Sequence, residues 1–209
     1  MKKMLIAMAI LLLFTAPAFS YSVFHQIGDN DGFGFGIADN ADVPYDYYDN
    51  RSAAELAATD GSQFTDYDRF FETGDPTYSL FFDVNMFTSL TWATLTIDVQ
   101  GMQPNFGGGL PSYLYFDGNQ VPGFETIDLG AFGSRVLVYN VNLAWLADGQ
   151  LDVFLDVNDF SNDPTYIADH VGVDFVRLDV EGIPAVPEPA TLILLGLGLA
   201  GLGIYRRRK

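Results

Sequence analysis

The 209-residue chain is predicted to be all-β, an antiparallel β-sandwich of jelly-roll type flanked by an N-terminal signal peptide and a C-terminal single transmembrane helix. Three observations carry the prediction. Apolar residues recur at every second position in several runs, helix signals are short and few, and Gly, Asn, Asp and Pro separate the runs.

From the N-terminus, Lys2 and Lys3 precede an apolar stretch from Met4 to Phe14, and Ala16-Pro17-Ala18 supplies the small residues that a signal peptidase needs. Residues 1–18 are therefore read as a signal peptide cleaved after Ala18, with Ser20 as the alternative, and residues 21–182 as one exported domain. About 160 residues suffice for a single core and are too few for two.

A strand is expected near Phe33 to Ile37. Ser52 followed by Glu55 three positions on forms a capping box opening a two-turn helix through Ala58. In Ser79 to Met86, Leu80, Phe82, Val84 and Met86 share one face and Asp83 and Asn85 the other. Ala93, Leu95, Ile97 and Val99 alternate in the same way with Thr94, Thr96 and Asp98, as Leu151, Val153, Leu155 and Val157 do with Asp152 and Asp156. Further strands are expected at Tyr113 to Phe116, Arg135 to Val141 and Val173 to Val180. Gly101 to Gly109 reads as a long exposed loop, and Asn142 to Ala147 as a short turn before the hairpin signal Asp148-Gly149.

The tail closes the chain with Pro187-Glu188-Pro189, the apolar run Ala190 to Tyr205, and Arg206-Arg207-Arg208-Lys209. Residues 183–189 form a linker. Residues 190–205 rise about 24 Å as a helix, short of the roughly 30 Å bilayer core, which suits a temporary anchor. The cations at 206–209 stay cytoplasmic and leave everything before Pro187 outside the inner membrane. An uncleaved anchor and a buried core helix are the alternatives.

This order of motifs closely resembles the PEP-CTERM sorting signal of Gram-negative, biofilm-forming bacteria. The resemblance covers only the tail and implies Pro187, Glu188, Pro189, Arg206, Arg207 and Arg208 as the sorting residues. It further implies cleavage near Pro-Glu-Pro by a membrane peptidase of exosortase type, and delivery to the cell surface or the exopolysaccharide.

Within the exported domain four arginines stand against 26 acidic residues, a charge near −22. That surface repels nucleic acid and anionic lipid and attracts cations. The chain has no cysteine, so packing or metal ions must supply the stability that other secreted domains draw from disulfides. Aspartate outnumbers glutamate by 22 to 5. This bias fits turn chemistry and calcium coordination equally, since both use short, hard oxygen donors in loops.

Asp29-Asn30-Asp31-Gly32 has the oxygen-rich, glycine-ended form of a calcium loop, although Ile27 and Ala38 occupy positions where an EF-hand needs its first and last ligands. A sandwich-type calcium site on Asp29 and Asp31, or a plain Asx-turn, remains. The closing run around Asp174 resembles the last strand of jelly-roll carbohydrate-binding modules, which implies that Asp174 ligates a structural Ca2+; pairing with Arg135 or Arg177 is the alternative. Asp156, Asn158, Asp159 and Asp163 form a third acidic group.

Trp92 falls on the outward parity of its strand, where an indole serves as a stacking platform for a sugar or caps the sandwich edge. Tyr45, Tyr47 and Tyr48, interleaved with aspartates, offer a loop of the same character, and Trp145 is expected in the core. Two isolated histidines, His25 and His170, and no nucleophile elbow give enzyme chemistry or zinc little to stand on. The expectation is a non-enzymatic surface or matrix protein associated with exopolysaccharide; a calcium-dependent glycan-binding module and a secreted glycosidase are the rivals.

Overall fold

A computed structural model describes residues 20–44, 49–67, 77–104, 111–157 and 171–185, together with Leu195, Gly196 and Gly198. Among the described residues eight strands run in order: β1 (Tyr21–Ile27), β2 (Thr77–Asp83), β3 (Phe87–Gln100), β4 (Tyr113–Phe116), β5 (Asn119–Gln120), β6 (Ser134–Asn140), β7 (Gln150–Asp156) and β8 (Gly172–Pro184). They form two four-stranded sheets, ordered β1-β8-β3-β6 and β2-β7-β4-β5. All pairings are antiparallel. Only β4 and β5 are consecutive neighbours in one sheet, so nearly every connection crosses between sheets, the wrapping of a jelly roll.

The period-2 runs become the two inner faces. Leu95, Ile97, Val99, Leu178 and Val180 of the first sheet pack over Tyr78, Phe82, Leu114, Phe116, Leu151 and Leu155 of the second, all fully or nearly buried. Each such side chain contributes about 1.5–3 kcal/mol when removed from water, which is how a cysteine-free chain holds together. Trp145 packs against this core half-buried, its ring set edge-on to Phe116 at 6.2 Å.

The capping box forms as expected at α1 (Ala53–Ala57): the Glu55 amide donates to Ser52 Oγ, and the Ser52 amide to Glu55 Oε2. The strand expected at Phe33 to Ile37 does not. Gly32–Gly36 closes a tight turn in which Gly32, Phe33, Gly34 and Gly36 all have left-handed φ. Phe33, Phe35 and Ile37 imitate strand alternation, but glycine at the intervening positions lets the chain curl instead.

Met86 lies partly exposed in the turn after β2, not in line with Phe82 and Val84. Gly101, Met102 and Pro104 are buried rather than exposed, with the Leu129 amide donating to the Met102 carbonyl at 2.8 Å. Two strands, β1 and β5, had no counterpart in the sequence reading. In β1 Tyr21 and Phe24, on opposite faces of the strand, are both exposed, which blurs the alternation. Among the described residues no helix is long and apolar enough to cross a membrane. Of the expected span 190–205, only Leu195, Gly196 and Gly198 are described, and they are helical.

Candidate functional site

At one end of the first sheet, carboxylate oxygens of Asp29, Asp31, Asp66 and Asp174 lie within 4.8 Å of one another. Three separate parts of the chain deliver them.

Asp174 comes from β8 through a bulge. The register passes from Ile97 opposite Val176 to Val99 opposite Val173, so two residues of β8 face the single Asp98 of β3. The extra residue lets both Val173 and Val176 enter the core while Asp174 turns to the other side of the sheet. There the Gly32–Gly36 turn receives it. Successive left-handed residues point their amides inward, and Gly32 and Phe33 N–H donate to the two Asp174 oxygens at 3.2 Å each. This is an anion-binding nest filled by the protein's own carboxylate.

Asp31 begins that turn and accepts from the Gly34 amide at 2.6 Å. Gly28, before Asp29, has φ +81° and lies so close to the Asp174 carbonyl and the Thr65 side chain that any Cβ would overlap them. Asp66 arrives from the segment after the 3-10 turn Ser62–Phe64. Its amide donates to the Val173 carbonyl at 2.8 Å, which staples the segment to β8. Its own φ is +55°, uncommon for a non-glycine residue.

Asp29 and Asp31 are exposed; Asp66 and Asp174 are buried at 2% and 0% exposure. Neither oxygen of Asp66 meets a hydrogen-bond donor. Burial and the neighbouring Asp174 push the Asp66 carboxyl up to about 10. Asp174 rises to about 6, mainly through burial, and is held lower than its partner by the Phe33 and Gly32 amides. Two amide donors stabilise the charged form of Asp174, and Asp66 has none. Asp29 is also raised, first by burial and then by Asp31. On the same side of the sheet Asp98 is buried with Oδ1 unpartnered, and burial, then Asp174, raise it to about 7.

Glu55 stands beside the group but is spent on structure, accepting from the Ser52 amide and the Thr65 hydroxyl. Arg177, the alternative partner for Asp174, instead binds Asp179 through Nε and Nη2. An all-oxygen donor set, half buried and open on one side, matches a hard cation such as calcium, which takes six to eight oxygens including water. It offers no nitrogen or sulfur for zinc.

The fold thus brings Asp29, Asp31 and Asp174 together. Asp66, in the unremarked run Phe64-Thr65-Asp66-Tyr67, had no signal in the sequence, because only the staple to β8 places it. Trp92 stands elsewhere on the same face, opposite Glu181 and 44% exposed, as its parity predicts. His25 is half-buried on β1 with Nε2 unpartnered. Tyr45, Tyr47, Tyr48, His170, most of the third acidic group (158–163) and the sorting residues Pro187, Glu188, Pro189, Arg206, Arg207 and Arg208 lie outside the described residues.

Among solved structures the chain is similar to dimeric latent PorU from Porphyromonas gingivalis (14% identity over 81% of this chain and 14% of that one, TM-score 0.42). It is also similar to a family 35 carbohydrate binding module from Clostridium thermocellum (13% identity, 77% of this chain and 98% of that one, TM-score 0.28). A third is the ANX1 ectodomain from Arabidopsis thaliana (8% identity, 79% of this chain and 42% of that one, TM-score 0.31). The chain spans only 14% of the length of the PorU chain. Among curated proteins none matches it. Residues 185–209 match the family described as the PEP-CTERM protein-sorting motif, so the chain carries at its C-terminal end the signal of an exported protein that exosortase processes at the membrane.

Proposed function

We propose that this is a non-enzymatic surface or extracellular-matrix protein of a Gram-negative bacterium, associated with exopolysaccharide and stabilised by calcium at Asp29, Asp31, Asp66 and Asp174. The sorting motif at 185–209 is the observation that carries the reading. The inner membrane is its transient anchor, and exosortase its processing partner.

Calcium is supported by the donor chemistry and by Asp66, whose buried carboxyl lacks any donor. Bound there, the ion would supply the positive charge that the four carboxylates lack and tie the 28–36 turn and the Asp66 segment to β8. The same spacing speaks against glycoside hydrolysis. Oxygens within 4.8 Å of each other suit one cation, whereas paired catalytic carboxyls stand about 5–9.5 Å apart across an open cleft.

Calcium-dependent glycan binding is the second reading, favoured by the exposed Trp92 beside Glu181. Affinity electrophoresis of the full chain in detergent, through gels containing the source bacterium's exopolysaccharide, tests both. Retardation with and without EDTA is expected from the first reading, and retardation lost with EDTA from the second. Free migration in both gels sinks the polysaccharide association.

A further inference from the structure

The outer face of the second sheet, opposite in the sandwich to Trp92, holds an open groove of about 630 Å³ whose lining includes Ser79, Phe81, Tyr115, Asp152, Phe154 and Asp156. Phe154, on the central strand β7, stands between Ser79 of β2 and Tyr115 of β4. The Phe154 and Tyr115 ring centroids are 6.0 Å apart, and Tyr113 continues the row 6.4 Å beyond Tyr115. Phe81 lies opposite Asp152 and is 50% exposed.

Along β7 the outward positions read Asp152, Phe154, Asp156, a ring with a carboxylate about 7 Å away on either side. Open aromatic faces on a sheet, edged by charge, mark a ligand groove rather than ordinary surface. The C–H face of a pyranose stacks on such rings, and its polar rim reaches the flanking carboxylates. Charge selects the sugar. Among the described residues the lining contains no lysine or arginine, and the domain's acidity repels anionic chains, whereas an ammonium group is attracted to the Asp152 carboxylate and gains from the ring faces.

We infer that this groove binds a polysaccharide segment built of amino sugars with free ammonium groups, stacked on Phe154 and Tyr115 and paired with Asp152, an inference that rests on the exopolysaccharide association proposed above. Titration calorimetry of the full chain in detergent with a glucosamine hexamer, an N-acetylglucosamine hexamer and the variants Phe81→Ala, Tyr115→Ala and Asp152→Asn tests it.

The glucosamine hexamer should bind, each variant should bind it about tenfold more weakly, and Asp152→Asn should lose the preference over the N-acetylated form. Unchanged affinity in all three variants, with unfolding temperatures matching the parent, overturns the inference, as does no binding of the glucosamine hexamer. A shift of Phe81→Ala in sedimentation mass would assign the groove to a second copy of the chain and also overturn it.

The same variants in the exopolysaccharide gels separate the two proposals. Parent-like retardation of every variant leaves the association standing and removes the groove, whereas hexamer binding at the groove without retardation does the reverse.

Discussion

Asp66 and Asp174, brought together by the bond from the Asp66 amide to the Val173 carbonyl, are two buried carboxyls side by side, and one of them has no hydrogen-bond donor. Such a pair cannot hold two negative charges in a dry site, so without a cation it keeps a proton.

Calcium should therefore raise the unfolding temperature, by an amount that grows with concentration. At a hundredfold excess over the dissociation constant the gain is about 2.7 kcal/mol. Asp66→Asn should abolish the response while leaving the EDTA-treated protein as stable as the parent or more so, because it removes an unsatisfied buried carboxyl. Calorimetry with calcium and with EDTA reads both; a full response in Asp66→Asn would remove the aspartate from the site.

In EDTA, stability should fall as pH rises from about 4 towards 8. Asp174 and Asp98, raised to about 6 and about 7, bind protons more tightly folded than unfolded. Their contribution is complete below the unfolded value near 3.8 and is lost as pH passes through the folded values. Each group contributes a slope of about 1.4 kcal/mol per pH unit between those limits. Calcium should flatten the part due to the cluster, and Asp98→Asn the remainder. Urea midpoints at pH 5 and pH 8 decide; equal midpoints in EDTA would refute the burial argument.

Gly28→Ala should destabilise the protein by at least about 2 kcal/mol. A side chain there meets both an unfavourable φ of +81° and the Asp174 main chain. Because the same backbone carries Asp29, calcium affinity should fall with stability, as titration of the purified variant would show.

Tyr78→Phe tests the link between the sheets at the site end. The buried hydroxyl donates to the Val171 carbonyl at 3.0 Å, one residue before β8. Its loss should cost about 1 kcal/mol or somewhat more in denaturant unfolding, with the core otherwise intact.

Replacing Arg206, Arg207 and Arg208 with serine should leave the protein unprocessed or misoriented, since those charges set the orientation of the tail. Fractionation with mass measurement of the mature chain follows it; normal release would show that sorting reads Pro187 to Pro189 alone.

Local chemistry made much of this protein legible in its sequence. The C-terminal sorting motif and the acidity are legible in residue order and composition, and the capping box at Ser52 and Glu55 and the strands carrying Leu95, Leu114, Leu151 and Leu178 follow from short-range hydrogen bonds and residue periods of two. Asp29, Asp31 and Asp174 were legible as separate oxygen donors. Tertiary structure decided what depends on contacts between distant segments. The bulge opposite Asp98 aims Asp174 out of the core, the staple to Val173 adds Asp66, the turn at Gly32–Gly36 replaces a strand, and strand pairing sets Phe81, Phe154 and Tyr115 in one groove. Strand alternation says which side chains share a face, but only register and wrapping say which face of which strand lies beside it.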